Sequence, residues 1–267
     1  MSMKFEKNTF KKRITSMLGV DFRRMFTSPL FYIMIGVSLV VPILILVMTS
    51  MMDGTTSVNP QTGIETTFVG FKNVWQIIGT TSGGEQAMSM DITSMCNINM
   101  MFFAICVFVC IFVGDDFRSG YAKNLFTVRS KKDDYVLSKS IVCFVAGATM
   151  IVAFFIGSML GGAFSGLSFA LEGATAGNVV MCLLSKVLLV GIFSSIYVLA
   201  SVFAKQKLWL SLIMSFGIGM LMFMMIPIIS PLDSTFLNVI LCLVGSVIFS
   251  VGIGFGSKAI LDKTSLV

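Results

Sequence analysis

Histidine is absent from all 267 residues of this chain. That one fact removes His-ligated zinc, the H-E-x-x-H protease motif, Ser–His dyads and histidine proton relays. No G-x-x-x-x-G-K-[ST] stretch occurs either, so the chain carries no Walker loop for ATP. The six cysteines are Cys96, Cys106, Cys110, Cys143, Cys182 and Cys242, all in or beside apolar runs. Only Cys106 and Cys110 sit one helical turn apart, and two thiols alone make a poor metal site. They read as inert packed thiols, with no metal and no catalytic residue expected.

Two features remain that could act. The segment Asp115–Lys139, DDFRSGYAKNLFTVRSKKDDYVLSK, places Phe117, Tyr121 and Leu125 four apart beside Arg118, Lys123 and Arg129. A charged helix with an aromatic stripe suits insertion into a groove on another protein. The plain alternative is a solvated basic loop. The second feature is Lys186, at the edge of an apolar run. Either it snorkels to a membrane interface, or a helix starting near Asn178 carries it inside, where an intramembrane cation is a functional candidate.

The elements that must position these residues are six long uncharged stretches: Met25–Met52, Ile92–Gly114, Ser140–Leu171, Val187–Ala204, Leu208–Leu232 and Ser234–Ser257. Crossing about 30 Å of hydrocarbon takes roughly 20 apolar residues. Only 12% of the chain is charged, about half the usual share of a soluble domain, and its mean hydropathy is +0.94. The expected fold is an all-α integral membrane protein with six transmembrane helices. Of the 19 Lys and Arg, 17 fall in segments that this topology puts on one side. The positive-inside rule makes that side, with both termini, cytoplasmic. The spread of charge among membrane-flanking segments argues against nucleic acid as a partner.

Residues 1–29 form a first unit. Phe10, Ile14, Met17, Leu18, Phe22 and Met25 recur at helical spacing among Lys11, Lys12, Arg13, Arg23 and Arg24. That pattern predicts an amphipathic helix lying in the interface, its cations near anionic headgroups. It breaks at Ser28-Pro29, and no cleavable signal peptide is expected. A six-span domain over 30–257 follows, then a cytoplasmic tail at 258–267. Pro42 is expected to kink the first span or open its ladder. Within the outer loop 53–91, Phe68, Phe71, Trp75 and Ile78 suggest a short amphipathic helix on the outer leaflet. Gly157-x-x-x-Gly161 and Gly162-x-x-x-Gly166 allow close helix approach. The fifth span is expected to end in Met222–Pro227, with Pro227 and Pro231 bracketing a short, rigid outer link, while Gly252, Gly254 and Gly256 lack the strand a nucleotide loop needs. No Asp or Glu falls in any apolar run, which disfavours self-powered, ion-coupled transport.

An acidic-Phe-Arg-x-Gly-x-x-Lys-Asn segment after the second span (Asp116 to Asn124) resembles the ABC-2 type permeases. So does the entry helix ending in Asp21-Phe22-Arg23-Arg24-x-x-x-Ser28-Pro29. The short permeases of bacterial peptide-antibiotic and bacteriocin export or immunity systems are the most similar in flavour. The resemblance implies a transport subunit that is not an enzyme, with ATP-Mg bound by a separate ATPase chain and no cofactor of its own. It implies a second permease, identical or paralogous, a bacterial plasma membrane, and export of an amphipathic or hydrophobic cargo. It makes 115–139 a coupling loop, with Asp116, Phe117, Arg118, Gly120, Tyr121, Lys123 and Asn124 coupling to the ATPase and Phe22, Arg23 and Arg24 in the interface helix. The translocation path would run between permeases along the first, second and fifth spans. Pro42, Met220, Met224 and Lys186 are its candidate residues. The alternatives are a toxin-binding immunity or sensing protein, or a membrane-embedded enzyme.

Overall fold

The computed structural model describes residues 10–58, 65–81, 96–128, 132–171 and 173–263. Arg129, residues 1–9, part of the outer loop and the end of the tail lie outside them. The described residues are nearly all helical: α1 Phe10–Thr27, α2 Pro29–Met52, α3 Met101–Arg118, α4 Tyr121–Val128, α5 Lys132–Ser165, α6 Ala176–Ala204, α7 Leu208–Phe223, α8 Ile226–Ile229 and α9 Phe236–Lys263. One two-stranded antiparallel hairpin pairs β1 Thr56–Val58 with β2 Glu65–Thr67.

Five helices are long and apolar enough to cross a membrane: α2, α3 with its leading 3₁₀ turn at Ile98–Met100, α5, α6 and α9. The chain is therefore a multi-pass membrane protein. The fifth span ends within Met222–Pro227 as expected, but it is short. Its helix α7 has 16 residues, about 24 Å long, short of a full hydrocarbon crossing. The cause is local. Pro227 cannot donate a backbone bond and its ring opposes the carbonyl four residues back, that of Phe223, where α7 ends. The chain then makes one short turn, α8, before the link to α9. Pro42, by contrast, leaves α2 continuous from Pro29 to Met52.

Helix α6 is the centre of the bundle and mostly buried, whereas α9 is mostly exposed. Around α6 pack α3, α5, α7 and α9, and α2 covers α5. The α2–α5 seam is built on glycine. A Cβ at Gly157 would overlap the Leu39 carbonyl oxygen, and one at Gly161 would lie 2.8 Å from Ile43 Cα. The Gly157–Gly161 spacing therefore marks a real close approach of two helices, whereas Gly162 faces Val74 of the outer segment and Gly166 meets nothing within 4 Å.

The segment Phe68–Ile78 is not the expected amphipathic helix. It forms a 3₁₀ turn at Val74–Ile77, and Phe71, Val74, Ile77 and Ile78 are buried in the core. Its polar atoms explain the correction. Trp75 Nε1 donates to the Phe169 carbonyl at 3.0 Å, Asn73 Nδ2 donates to the Ala170 carbonyl, and Val74 N donates to the Ser168 carbonyl at 3.1 Å. These bonds hold the loop against the far end of α5.

Candidate functional site

Most of the charged residues of the described structure collect at the end of the bundle formed by α1, α4, the end of α3 and the start of α5. Helix α5 starts at Lys132, eight residues before the apolar run it carries. Most of Asp115–Lys139 is thus helix rather than loop, with Ser119 and Gly120 separating α3 from α4. Gly120 takes φ +75°, a conformation that ordinary side chains avoid. The break means that Phe117, Tyr121 and Leu125 do not share one stripe. Phe117 closes α3 and is buried with its ring edge-on to Tyr135, at 6.3 Å between centroids. Nothing lies within 4 Å of a Cβ added at Gly120. Gly120→Ala should therefore cost only backbone strain, about 1–2 kcal/mol, read as a lowered unfolding midpoint without loss of membrane insertion.

The first two turns of α5 hold this end together. Lys132 Nζ donates to the Leu261 carbonyl at 2.5 Å, and Asp133 pairs with Lys258 at 3.0 Å, fastening α9. Asp134 accepts from Arg13 Nε at 2.8 Å, fastening α1. Tyr135 donates to Asp116 Oδ2 at 2.9 Å, and Ser138 donates to Asp21 Oδ2 at 2.6 Å. Lys139 Nζ lies 2.8 Å from both Asp21 Oδ1 and Asp116 Oδ2, with all three side chains fully buried. Arg24 completes the group at 2.6 Å from Asp116 Oδ1 and stacks over the Tyr121 ring at 4.1 Å. Burial is the largest single influence and opposes the Arg24 charge, but Asp116 foremost, with Tyr121 and Asp21, together lift the guanidinium above its ordinary pKa.

Two acids and two bases thus form an electrically neutral cluster joining α1, α3 and α5, with Asp21, Asp116 and Lys139 fully buried and Arg24 partly exposed. Such a cluster resists separation, because pulling one helix away leaves a buried charge unpaired. The sequence residues divide around it. Asp116 and Phe117 face inward, Tyr121 is half-buried against Arg24, and Arg118, Lys123 and Asn124 are exposed. Arg118 lies 3.8 Å from Asp115. In α1, Phe22 is half-buried beside Phe26 and Arg23 is exposed. Met17, Asp21 and Met25 pack inward, so part of the apolar stripe of α1 meets protein rather than lipid.

Asp21, Tyr135, Ser138 and Lys139 are central here and were not singled out by spacing alone. One signal was available. Asp21 stands four residues from both Met17 and Met25, a carboxylate on an otherwise apolar face, which requires a buried partner.

The candidate path residues are not gathered into one wall. Pro42 is buried against Gly157, whereas Met220 and Met224 are exposed. Lys186 does not snorkel. Helix α6 begins at Ala176, capped by Thr175, so Lys186 lies in its interior and is fully buried. Its Nζ donates to Asn99 Oδ1 at 2.7 Å and to the Ser230 carbonyl at 3.3 Å. Among the described residues no group of three or more potential metal ligands gathers.

No curated protein and no solved structure matches the chain. A family model described as "ABC-2 family transporter protein" matches residues 22–222, from α1 through α7. That match takes in Arg24, Asp116 and Lys139 of the charged cluster, Lys186 and well over half the sequence, with Asp21 just before its first residue, and with it the chain belongs to the ABC-2 family of transporter proteins.

Proposed function

We propose that this chain is the permease subunit of an ATP-driven exporter, worked by a separate ATPase that grips its basic end. The family match supports a transporter, and proteins of this family normally work with an ATPase subunit. The observation that carries the coupling reading is the neutral, largely buried cluster Asp21–Arg24–Asp116–Lys139. It makes α1, the end of α3 and the start of α5 one rigid block, and α4 hangs from that block through Gly120 and the Tyr121–Arg24 contact. A push on α4 is then delivered to three helices together, which is what rigid-body alternation of access requires. Arg118, Lys123 and Asn124 are the exposed groups that touch the ATPase. Asp116 and Phe117 act from inside, as positioning residues.

In this reading the basic end faces the cytoplasm of a bacterial cell, with both termini there. The pair α7–α8 makes the sixth crossing, and two permeases assemble with two ATPases around a path for amphipathic cargo. The chain holds no nucleotide and no cofactor of its own. The test is co-purification with a Walker-loop ATPase expressed beside the chain. Arg118→Glu with Lys123→Glu should weaken that association roughly tenfold or more, because reversed charges repel the surface that attracted the originals. Membrane insertion should be unchanged. An ATPase that binds the doubly reversed chain as well as the original would reject the assignment of α4.

A further inference from the structure

The two buried lysines of this chain are treated differently by their surroundings. Lys139 meets two carboxylates at 2.8 Å. Lys186, equally inaccessible, meets only neutral acceptors, the Asn99 amide oxygen and the Ser230 carbonyl. Among the described residues no carboxylate lies within ion-pairing range of it. An ammonium has three N–H donors, and two are used here. The neighbouring Ser185 is also buried, beside Cys242. Lys186 lies about 15 Å along α6 from Ala176, inside an apolar bundle. At such a place an ion–ion contact outweighs an ion–dipole contact by more than it would in water.

We propose that Lys186, with Asn99 and Ser230, binds the anionic headgroup, a carboxylate or phosphate, of an acyl-chain amphiphile. This rests on the permease reading and names the class of its cargo. The headgroup oxygen replaces the Ser230 carbonyl, the longer of the two contacts, while Asn99 keeps its bond to the ammonium. The acyl chain follows the apolar surface beside Ser230, where Met225, Ile228, Phe236 and Leu237 are exposed. Ser230 ends α8 and begins the link to α9. The exchange therefore takes away one of the bonds that hold this link to α6. Ser230 Oγ to the Cys182 carbonyl at 3.2 Å, and Leu232 N to the Thr80 carbonyl at 2.8 Å, remain.

The experiment uses the full-length chain, without any ATPase, in phosphatidylcholine nanodiscs. The probe is dodecanoate carrying a photoreactive diazirine beside the carboxylate. Cross-links are expected on the start of α3, the middle of α6 and α8. Dodecyl phosphate should compete for them, whereas dodecyltrimethylammonium and inorganic phosphate should not. Lys186→Met should raise the half-competing concentration of dodecyl phosphate roughly tenfold or more, and Lys186→Arg should keep it within about threefold of the original. Cross-links confined to the basic face of α1 and α4 overturn the proposal. So does equal competition by the cationic amphiphile or by free phosphate. Should Lys186→Met fail to fold, the cross-link map and the competition series on the unaltered chain decide the matter. Because no ATPase is present, failure here leaves the permease reading standing, and loss of ATPase co-purification leaves this binding result untouched.

Discussion

Lys139→Met should lower the stability of the chain by about 3–5 kcal/mol, the range for removing one partner from a buried ionic group. The lysine sits 2.8 Å from two carboxylates, with no exposure on any of the three side chains. Without it, Asp116 keeps Arg24 at 2.6 Å and the Tyr135 hydroxyl. Asp21 is worse placed. Arg24 is 4.0 Å away and the remaining short contact is the neutral hydroxyl of Ser138. A desolvated carboxylate is thus left without a full counter-charge. Arg24→Met should cost less, because Arg24 is 31% exposed and part of its charge is screened by solvent. The decisive comparison is a double-mutant cycle with Asp21→Asn. Removing the acid together with the base restores neutrality, so Asp21→Asn/Lys139→Met should be more stable than the sum of the single losses by about 1.5–3 kcal/mol. Denaturant unfolding in detergent measures each corner of the cycle. Additive losses would mean that the two groups do not sense one another and that the cluster is no rigid joint.

How much of this was legible in the sequence differs from residue to residue. The apolar runs gave the membrane-spanning helices because length and hydropathy are summed over some twenty residues, and no single tertiary contact overrides that sum. The end of α7 was legible at Pro227, but its shortness was not. Its run of apolar residues extends to Leu232, yet Pro227 stops the helix at Phe223, a backbone effect that composition does not register. The segment Phe68–Ile78 had helical spacing and was apolar, but spacing cannot tell lipid from protein as the surface that receives it. The bonds from Trp75, Asn73 and Val74 to 168–170 settle that, and they reach across more than ninety residues. At the basic end the family-like motif drew attention to Asp116 through Asn124. The partners that fix Asp116 lie in α1 and α5, outside that motif. Charge counting even worked against finding them, since acids that neutralise buried bases contribute nothing to the sidedness of the chain. Lys186 was ambiguous because the start of α6 was: Thr175 caps a helix whose first ten residues carry the cation inward.

The seam between α2 and α5 supplies a second large effect, and one whose sign depends on position. Replacing glycine by alanine within a helix ordinarily stabilises it by about 0.5–1 kcal/mol, because alanine gives up less backbone entropy. Gly36 on α2 and Gly252 on α9 should follow that rule, since a Cβ at either meets nothing within 4 Å. Gly157 should break it. There a Cβ overlaps the carbonyl oxygen of Leu39 and stands 2.8 Å from Pro42 Cγ. The carbonyl is backbone and the proline ring is fixed to it, so neither yields without moving α2. Gly157→Ala should destabilise by about 1–3 kcal/mol, and Gly157→Val by more, because its two methyl groups reach further into α2. Gly161→Ala presses on Ile43 Cα at 2.8 Å and should behave similarly. The spread between Gly36→Ala and Gly157→Ala, about 1.5–4 kcal/mol, is readable as a difference in unfolding midpoint in one detergent. It is also visible in a cysteine pair placed across the seam, whose cross-linking rate should drop in Gly157→Val. If Gly157→Ala stabilised the chain as Gly36→Ala does, α2 would not be in backbone contact with α5. Pro42 would then face lipid or cargo instead of a neighbouring helix.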